Sequence, residues 1–206
     1  KVSSYYEYDK NGNKTFEGYS TTGGTTVYQR SNIKYDALNR ISSIADQNYS
    51  VLYEYDKVGN RRYIKSLKGV DTQEYWYAYD TVNRMTVSMG VLTGGTRATS
   101  DNGTKLIGRD ITAKKGVVLQ YDLAGNRVAA LYANNDAQEK YDYNALGYLT
   151  TTSNLKTLAV MATRTNDLLG RTTKYVQNST VNGTLTQTYL YDGDNKVTHS
   201  ESKDDK

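Results

Sequence analysis

A four-residue word, Tyr-x-Tyr-Asp, recurs along this chain and constrains its fold more than any other feature. Four clear copies and four looser ones place the last residue of the word at positions 9, 36, 56, 80, 122, 144, 167 and 192. The steps between these positions are 27, 20, 24, 42, 22, 23 and 25 residues, and we interpret the step of 42 as two periods with a decayed ninth copy near Asp101. A period of about 23 residues predicts a single repeat array over residues 1–206, in which each repeat packs on its neighbours.

Each copy is followed by residues that are typical of a tight turn. An aspartate at the start of a turn accepts hydrogen bonds from the turn's own backbone, and Gly or Asn two or three residues later tolerates a positive φ. A basic residue then follows at one of two spacings: four residues after Asp36, Asp80 and Asp167, and five residues after Asp9, Asp56 and Asp122. We interpret both as hairpin tips, the second longer by one residue, with the basic side chain close to the aspartate across the hairpin.

Tyrosines two residues apart precede the tips, as at Tyr53 and Tyr55, and this period of two indicates β-strands. Short β-compatible runs follow the tips, for example residues 84–88 and 127–131. Each repeat is therefore predicted to be a hairpin, and eight or nine repeats predict 16 to 18 strands. The expected fold class is all-β: tandem hairpins in one continuous antiparallel sheet, without independent domains.

Two Gly/Thr-rich stretches, residues 21–26 and 93–99, are candidate loops, and the tail 201–206 is expected to be frayed. The residues that we assign to the repeat motif have a structural rather than a catalytic role. They are Tyr8, Asp9, Gly12, Tyr35, Asp36, Asn39, Arg40, Tyr55, Asp56, Gly59, Tyr79, Asp80, Asn83, Arg84, Tyr121, Asp122, Gly125, Tyr143, Gly147, Asp167, Gly170, Arg171, Tyr191, Asp192 and Asn195.

The composition excludes several kinds of site. The chain has no Cys and one His, which excludes disulfides, Cys/His zinc sites, thiol nucleophiles and multi-His metal centres. The longest apolar runs, residues 128–133 and 158–162, are far shorter than the roughly 20 residues that span a bilayer. The most basic stretch, residues 97–115, has no interleaved aromatic residues and is interrupted by aspartates, so a solvated loop is favoured over a nucleic-acid site. No cofactor, metal or nucleic acid is predicted to bind.

The 21 tyrosines have two interpretations. They can supply the apolar surface of a sheet that has few aliphatic residues, which we favour, or they can form an exposed binding surface, since Tyr offers a flat ring with a polar tip. Segment 192–195 superficially resembles a calcium loop but lacks the spacing and terminal Glu of an EF-hand, so a turn is favoured. His199 and Ser200 would point to opposite faces of a strand, so a nucleophile–base pair is not expected.

The words Tyr-Asp-x-x-Gly-Arg and Tyr-Asp-x-x-Gly-Asn-Arg resemble the repeats of the Rhs/YD-repeat family over about residues 5–200. That family includes bacterial polymorphic toxins, insecticidal toxin-complex subunits, wall-associated proteins and teneurins. The resemblance implies a β-strip that spirals into a hollow shell, which in the toxins encloses a cytotoxic C-terminal domain. The chain differs from those toxins in lacking a Pro-containing self-cleavage segment, a following toxin domain and any proline, so it resembles the repeat strip alone.

From this resemblance we expect a non-catalytic structural segment of a secreted or cell-surface bacterial protein. Its expected partners are the flanking repeats or the cargo domain of a larger polypeptide. We expect about nine hairpins to be too few to close a shell alone, and open sheet edges without proline favour self-association. The alternative function is an extracellular module that binds carbohydrate or another protein through exposed tyrosines.

Overall fold

The computed structural model describes residues 3–20, 26–46, 48–90, 97–99, 106–134 and 138–205. Within these ranges the chain forms eighteen β-strands and no helix, so the predicted all-β class and the predicted number of strands are confirmed. The chain divides into two compact units, Lys1–Gly108 and Arg109–Lys206. The division falls in the longest interval between copies of the word, and each unit contains four of the eight copies.

In the first unit, an antiparallel sheet is formed by strands that each pair with the next one along the chain. These strands are β1 (Ser3–Tyr8), β2 (Lys14–Ser20), β3 (Thr26–Tyr35), β4 (Ile41–Asp46), β5 (Tyr49–Tyr55), β6 (Arg61–Lys68), β7 (Asp71–Tyr79) and β8 (Met85–Ser88). Two short strands, β9 (Arg97–Thr99) and β10 (Leu106–Gly108), pair with each other.

The second unit repeats this meander. Its strands, again paired in chain order, are β11 (Val117–Tyr121), β12 (Arg127–Tyr132), β13 (Gln138–Tyr143), β14 (Leu149–Asn154), β15 (Val160–Asn166), β16 (Thr172–Ser179), β17 (Gly183–Tyr191) and β18 (Val197–Asp205). In both units the strands with alternating tyrosines run into the tips, and the short runs after the tips form the return strands.

The prediction of a frayed tail is wrong for residues 201–205. These residues belong to β18, where Glu201 pairs with Thr188 and Asp205 pairs with Thr184. Because β17 is as long as β18, at nine residues, it offers a partner backbone along the whole of that strand. Every side chain of β18 is exposed, so its charged residues remain solvated while the backbone is paired.

All eight hairpins have the same register. The residue before the aspartate position pairs with the residue five places after it, and the residue two places before pairs with the residue seven places after, as in Tyr55 with Arg61 and Glu54 with Tyr63. The sixth residue after the aspartate position is therefore a one-residue β-bulge in each hairpin. This bulge sets where the return strand begins.

The register between successive hairpins follows one rule in five of the described pairings. The residue seven places after one aspartate position pairs with the residue four places before the next, as in Tyr63 with Trp76, and four further pairings follow this rule. The pairing of β2 with β3 is offset by one residue, which β3 accommodates at an irregularity that includes Asn32, where φ is +54°. The 27-residue step from Asp9 to Asp36 therefore changes the pairing inside β3 and leaves the register at both tips unchanged.

The buried side chains form a small core in each unit. In the first unit the rings of Tyr63 and Trp76 pack across β6 and β7 with their centroids 4.1 Å apart. In the second unit the buried apolar residues are four alanines and Tyr141. Burial raises the pKa of the Tyr63 hydroxyl, and the hydrogen bond that this hydroxyl donates to Glu74 acts in the same direction.

Two predictions concern residues that lie mainly outside the described ranges. The decayed ninth copy near Asp101 is among them, and so is most of the candidate loops 21–26 and 93–99, of which Thr26 begins β3 and Arg97–Thr99 form β9.

The expectation of a solvated basic loop is wrong for one of its members. Arg109 is buried, and its guanidinium donates a 2.9 Å hydrogen bond to the carbonyl of Tyr132. The chain folds back here because the backbones of Asp110 and Lys115 are bonded to each other in both directions. Lys114 and Lys115, at the end of that turn, are exposed as expected.

Candidate interaction surface at the hairpin tips

The eight tips share one turn. In every copy the backbone NH at the aspartate position donates to the carbonyl four residues on, and the NH three residues on donates back to the carbonyl of the aspartate position. At Asp36 these two bonds are 2.8 and 3.0 Å long. The residue three places after the aspartate position, which we call the third residue, has a positive φ in each copy. Gly and Asn adopt this conformation most readily. These third residues are Gly12, Asn39, Gly59, Asn83, Gly125, Gly147, Gly170 and Asn195.

The side chain of the aspartate closes the turn from inside. Oδ1 of Asp36 accepts hydrogen bonds from the backbone NH groups of Leu38 and Arg40, at 2.9 and 3.0 Å. In the copy that has Asn144 instead, the amide oxygen accepts the equivalent two bonds at 3.0 and 2.9 Å. The turn therefore requires the oxygen acceptor and not the carboxylate charge.

The pKa of the carboxyl group is lowered at five of the tips. At Asp9 and Asp122 the largest cause is a hydrogen bond from the asparagine side chain four residues on. At Asp36, Asp80 and Asp167 partial burial is the largest influence and raises the pKa, but the hydrogen bonds and charge of the following arginine, with a further backbone NH, outweigh it. These groups are ionised at neutral pH, so they are poorly suited to act as general acids.

The interpretation of the second spacing as a longer tip is wrong, because the turn has one length. Four residues after Asp36, Asp80 and Asp167 lies an arginine whose Nε donates to the aspartate carboxylate at 2.6 to 2.7 Å, and Lys196 holds the same position after Asp192. In the tips where the basic residue lies five places after the aspartate, the residue four places after it, which we call the fourth position, is an asparagine. Its Nδ2 donates to Oδ2 of the aspartate, the oxygen that the arginines also bind. The basic residue of that second class begins the return strand, as Arg61 does in β6.

Side chains at the fourth position also reach the next tip. Nδ2 of Asn60 donates to Oδ1 of Asn83 at 2.9 Å. Nη1 of Arg171 likewise donates to Oδ1 of Asn195 at 2.9 Å, and it lies 3.3 Å from the carbonyl oxygen of Asp192. Arg and Asn at this position therefore make the same two kinds of hydrogen bond: one to the aspartate of their own turn and one to the next turn.

The residue that precedes the aspartate joins its repeat to the preceding repeat. A tyrosine hydroxyl at this position donates to the backbone carbonyl of the residue five places after the preceding aspartate position. The distance is 2.8 to 2.9 Å in five pairs: Tyr35 to Lys14, Tyr55 to Ile41, Tyr79 to Arg61, Tyr143 to Arg127 and Tyr191 to Thr172. We call this hydrogen bond the inter-repeat link.

The inter-repeat link is also present in the most degenerate copy. Asn166 replaces the tyrosine there, and its Nδ2 donates to the carbonyl of Leu149 at 3.1 Å. Leu149 is five residues after Asn144, which is the same acceptor position as in the five tyrosine links. Because the acceptor is a backbone group, its side chain can vary freely among the repeats.

Cationic side chains lie over the tyrosine rings beside these links. The guanidinium carbon of Arg40 is 4.4 Å from the ring centre of Tyr55, and that of Arg171 is 4.8 Å from the ring centre of Tyr191. Arg61, at the start of a return strand, lies over Tyr53 at 4.6 Å. Such contacts contribute about 0.5 to 1 kcal/mol each at exposed sites.

A shallow cavity of about 470 Å³ lies between two successive tips of the first unit. Its lining includes Tyr55, Tyr79, Arg62 and Asp80. The hydroxyls of both tyrosines already donate to backbone carbonyls in inter-repeat links. The cavity therefore offers ring surface and charged groups rather than uncommitted tyrosine hydroxyls.

The most exposed tyrosines of the described residues are on β1. Tyr5, Tyr6 and Tyr8 are 54%, 54% and 60% exposed. Tyr6 and Tyr8 are two residues apart and share one face of the strand, where Lys14 lies 5.0 Å from the ring centre of Tyr6. This face presents aromatic surface together with a cation.

The remaining sequence candidates lie apart from any cluster. Asp192 belongs to a tip, where its Oδ1 accepts from the backbone NH groups of Asp194 and Lys196. His199 pairs with Leu190 in the exposed strand β18. In the part of the chain that the structure describes, no group of three or more His, Cys, Asp or Glu residues is arranged to hold a metal ion. The same residues contain no helix long and apolar enough to cross a membrane.

Sequence reasoning located the turn residues but missed the inter-repeat link. The missed signal was the choice of aromatic residue: the chain has 21 Tyr and one Phe. A sheet that needed only ring surface could use both residues, so this imbalance indicates that the hydroxyl is used. Asn166, at the same position, indicates the same thing, because its amide has no ring but can donate a hydrogen bond as the tyrosine hydroxyl does.

The fold is shared with part of a known toxin. The chain resembles a segment of the pore form of the Tc holotoxin of Photorhabdus luminescens, with a TM-score of 0.51 and 12% sequence identity over 97% of this chain. It also matches the crystal structure of TcdB2–TccC3 without its hypervariable C-terminal region, with a TM-score of 0.41 and 12% identity over 92% of this chain. The chain spans only 12% and 11% of those two chains. No family model matches the chain, and no curated protein matches its sequence.

Proposed function

We propose that this chain is a non-catalytic structural segment of a secreted or cell-surface bacterial protein of the Rhs type, in which the repeats build part of a shell around a toxin or other cargo domain. The observation that carries this proposal is the inter-repeat link. One hydrogen bond, made at one position, joins successive repeats whose other residues vary widely. Because each repeat bonds to its neighbour in the same way, further repeats can be added to lengthen the sheet that forms the shell.

The shared fold supports this role. The matched segment belongs to a Tc holotoxin, and this chain aligns with it over nearly its whole length while spanning a small part of the larger chain. A segment of that size fits a portion of a wall, with the cargo and the remaining repeats supplied by a longer polypeptide.

The chemistry of the recurring aspartates supports a non-catalytic role. Their carboxylates accept two backbone NH groups within their own turns, and an arginine or asparagine side chain occupies the other oxygen. A carboxylate that is fully engaged in this way has little capacity left for a substrate.

The test uses the natural polypeptide that contains these residues. Limited proteolysis with mass spectrometry would compare the parent with a triple variant, Tyr35→Phe, Tyr55→Phe and Tyr191→Phe, that removes three inter-repeat links. The matched control is Tyr6→Phe, Tyr53→Phe and Tyr175→Phe, since these three tyrosines lie beside cations and outside the links. We expect the rest of the polypeptide to resist the protease in the parent and the control and to be cleaved in the link variant. Equal cleavage in all three proteins would contradict a shielding wall.

A second candidate function is an extracellular module that binds carbohydrate. The exposed aromatic face of β1, with Tyr6 and Tyr8, favours it. A glycan array would test it: binding by the parent that is lost in Tyr6→Ala but kept in Tyr53→Ala would support this candidate over the shell segment.

A further inference from the structure

The cavity between two successive tips of the first unit has a lining rich in hydrogen-bond donors. Its volume of about 470 Å³ lies within the range of cavities that bind small molecules. The rings of Tyr55 and Tyr79 supply apolar surface. Four further lining residues have donor groups on their side chains: Lys57, Arg62, Thr81 and Asn83. The cavity therefore has the two kinds of surface that small-molecule sites use, apolar walls and a few polar groups.

The carboxylate acceptors of the lining are engaged within their own turns. Oδ1 of Asp56 accepts from the backbone NH groups of Val58 and Asn60, and its Oδ2 accepts from Nδ2 of Asn60. Asp80 has the same arrangement, with Nε of Arg84 on its Oδ2 at 2.7 Å. These carboxylates therefore offer little to a ligand that brings further donors.

The donors, in contrast, are largely uncommitted. Lys57 is exposed and makes no ion pair with the residues that the structure describes. Arg62 uses Nη2 to bind Glu54 at 2.8 Å, while its Nε is buried and has no acceptor in the described part of the chain. Buried donors without an acceptor are rare in proteins. This guanidinium therefore has more N–H groups than the surrounding protein has acceptors for it.

The charge of this region favours an acceptor that is negatively charged. Segment 54–62 contains three cations and two anions, which leaves one positive charge. The other aspartate of the lining, Asp80, is neutralised by an ion pair with Arg84. A carboxylate suits such a site because the planar fork of a guanidinium can bind both of its oxygens.

We propose that this cavity binds a hexuronate unit of an acidic polysaccharide. The carboxylate of the sugar accepts hydrogen bonds from Arg62 and Lys57, and the C–H groups of the sugar ring pack on the rings of Tyr55 and Tyr79. The inference goes beyond the proposed function, because a structural wall requires no ligand. The site is also separate from the exposed face of β1 on which the second candidate function depends.

An acidic sugar fits this lining better than an acidic peptide does. In a peptide every carbonyl acceptor is accompanied by an NH group that can only donate, and the engaged carboxylates of Asp56 and Asp80 leave such donors without a partner. A sugar hydroxyl can accept as well as donate, so its oxygen can use the donors of Thr81 and Asn83.

Isothermal titration calorimetry of the 206-residue chain with trigalacturonate tests the ligand class. We expect binding that is weakened about tenfold or more when the methyl ester of the same trisaccharide is used, because the ester keeps the sugar rings and removes the charge. No binding of trigalacturonate, or equal binding of the ester, would overturn the proposal. Equally tight binding of a triglutamate peptide would overturn it too, since the sugar ring would then contribute nothing.

Lys57→Gln tests the site from the side of the protein. It removes an ammonium group from an exposed turn and should weaken the binding of trigalacturonate about tenfold. The matched control is Lys10→Gln, because Lys10 follows Asp9 as Lys57 follows Asp56 and lies outside the cavity lining. The control should bind like the parent. Equal effects of the two variants would indicate general attraction of a polyanion to a basic protein and would overturn the proposal.

Arg62→Gln and Glu54→Gln separate the guanidinium from its ion pair. Both variants break the pair of Arg62 with Glu54, but only the first removes the donors from the cavity. We expect binding of trigalacturonate to be lost in Arg62→Gln and kept in Glu54→Gln, with circular dichroism to show that both are folded. Equal loss in the two would overturn the role of the guanidinium. If Arg62→Gln does not fold, the comparison of Lys57→Gln with Lys10→Gln decides, and the proteolysis of the natural polypeptide decides the proposed function separately.

Discussion

Tyr191, the last residue of β17, donates a 2.8 Å hydrogen bond to the backbone carbonyl of Thr172, the first residue of the neighbouring strand β16. The backbone pairing of these two strands extends toward the tips only as far as Lys174 and Thr188. The tyrosine side chain therefore continues the connection between the strands beyond the end of their ladder. The inter-repeat link holds the tips together where backbone bonds no longer do.

Removal of one inter-repeat link should lower stability by about 1 kcal/mol, the net value of one intramolecular hydrogen bond. We expect this for Tyr55→Phe, which keeps the ring under Arg40 and loses only the bond to Ile41. Tyr53→Phe is the control, since its ring lies under Arg61 and its hydroxyl takes no part in a link. Urea unfolding followed by circular dichroism measures both. Equal losses for the two variants would show that the hydroxyl of Tyr55 contributes nothing specific.

Replacement of the glycine three places after the aspartate position by asparagine should cost little stability where there is space for a side chain. Replacement by valine should destabilise the protein. At Gly147, where φ is +79° and a Cβ would have no neighbouring atom within 4 Å, Asn should cost little and Val roughly 1 to 2 kcal/mol. At Gly170 a Cβ would lie 2.6 Å from the ring of Tyr148, so Asn should be nearly as harmful as Val there. Thermal unfolding of the four variants checks this. Good tolerance of Asn at Gly170 would contradict the close approach of that ring.

Stability should decline in acid through the aspartates of the tips. The folded pKa of Asp122 is lowered, mainly by its hydrogen bond from Asn126, so its contribution is complete above the unfolded pKa of about 3.9 and is lost as the pH falls below that value through the lower folded pKa. Asp122→Asn should therefore reduce the loss of unfolding free energy between about pH 5 and pH 3. The reciprocal variant Asn144→Asp should increase it. Urea titrations at several pH values measure the slope, and unchanged slopes would show that these carboxyls do not control acid sensitivity.

Replacement of the arginine four places after the aspartate by asparagine should lower stability less than replacement by lysine. Arg171 donates to its own turn through Nε and to the next turn through Nη1, and Asn60 makes the two corresponding bonds with its single Nδ2. Lysine keeps the charge but lacks the planar fork, so Arg171→Lys should lose about 1 kcal/mol. Arg171→Asn should lose less. A more stable Lys variant would mean that charge, rather than the pair of directed bonds, matters at this position.

The turns could be predicted from sequence because their determinants are local. The aspartate position and the Gly or Asn three residues later are set by the backbone of a single turn, as at Asp56 and Gly59. The equivalence of Arg and Asn at the fourth position could not be predicted in this way. It depends on where each side chain ends in space, and a count of residues to the next basic side chain suggested an insertion that does not exist.

The inter-repeat link and the pairing of the tail depend on partners that are distant in sequence. Tyr55 is 14 residues from its acceptor, Ile41, and nothing local to either residue indicates the other. The strand character of residues 201–205 likewise comes from the length of β17 and not from their own composition, which is rich in charge. In both cases the tertiary pairing overrides what the local sequence indicates.

The inter-repeat link acts only at the end of the strands that carries the tips, and steps of 20 to 27 residues leave that end unchanged. Apart from the one-residue offset that β3 takes up at Asn32, differences in repeat length are therefore absorbed at the opposite margin of the sheet, where Gly69 and Val70 connect β6 to β7 and Val70 is almost fully exposed. A foreign peptide inserted between these two residues would lengthen an exposed turn while the neighbouring tips kept their distance. The repeat array thus offers one margin for the display of new sequence, and the other margin preserves the spacing of the tips.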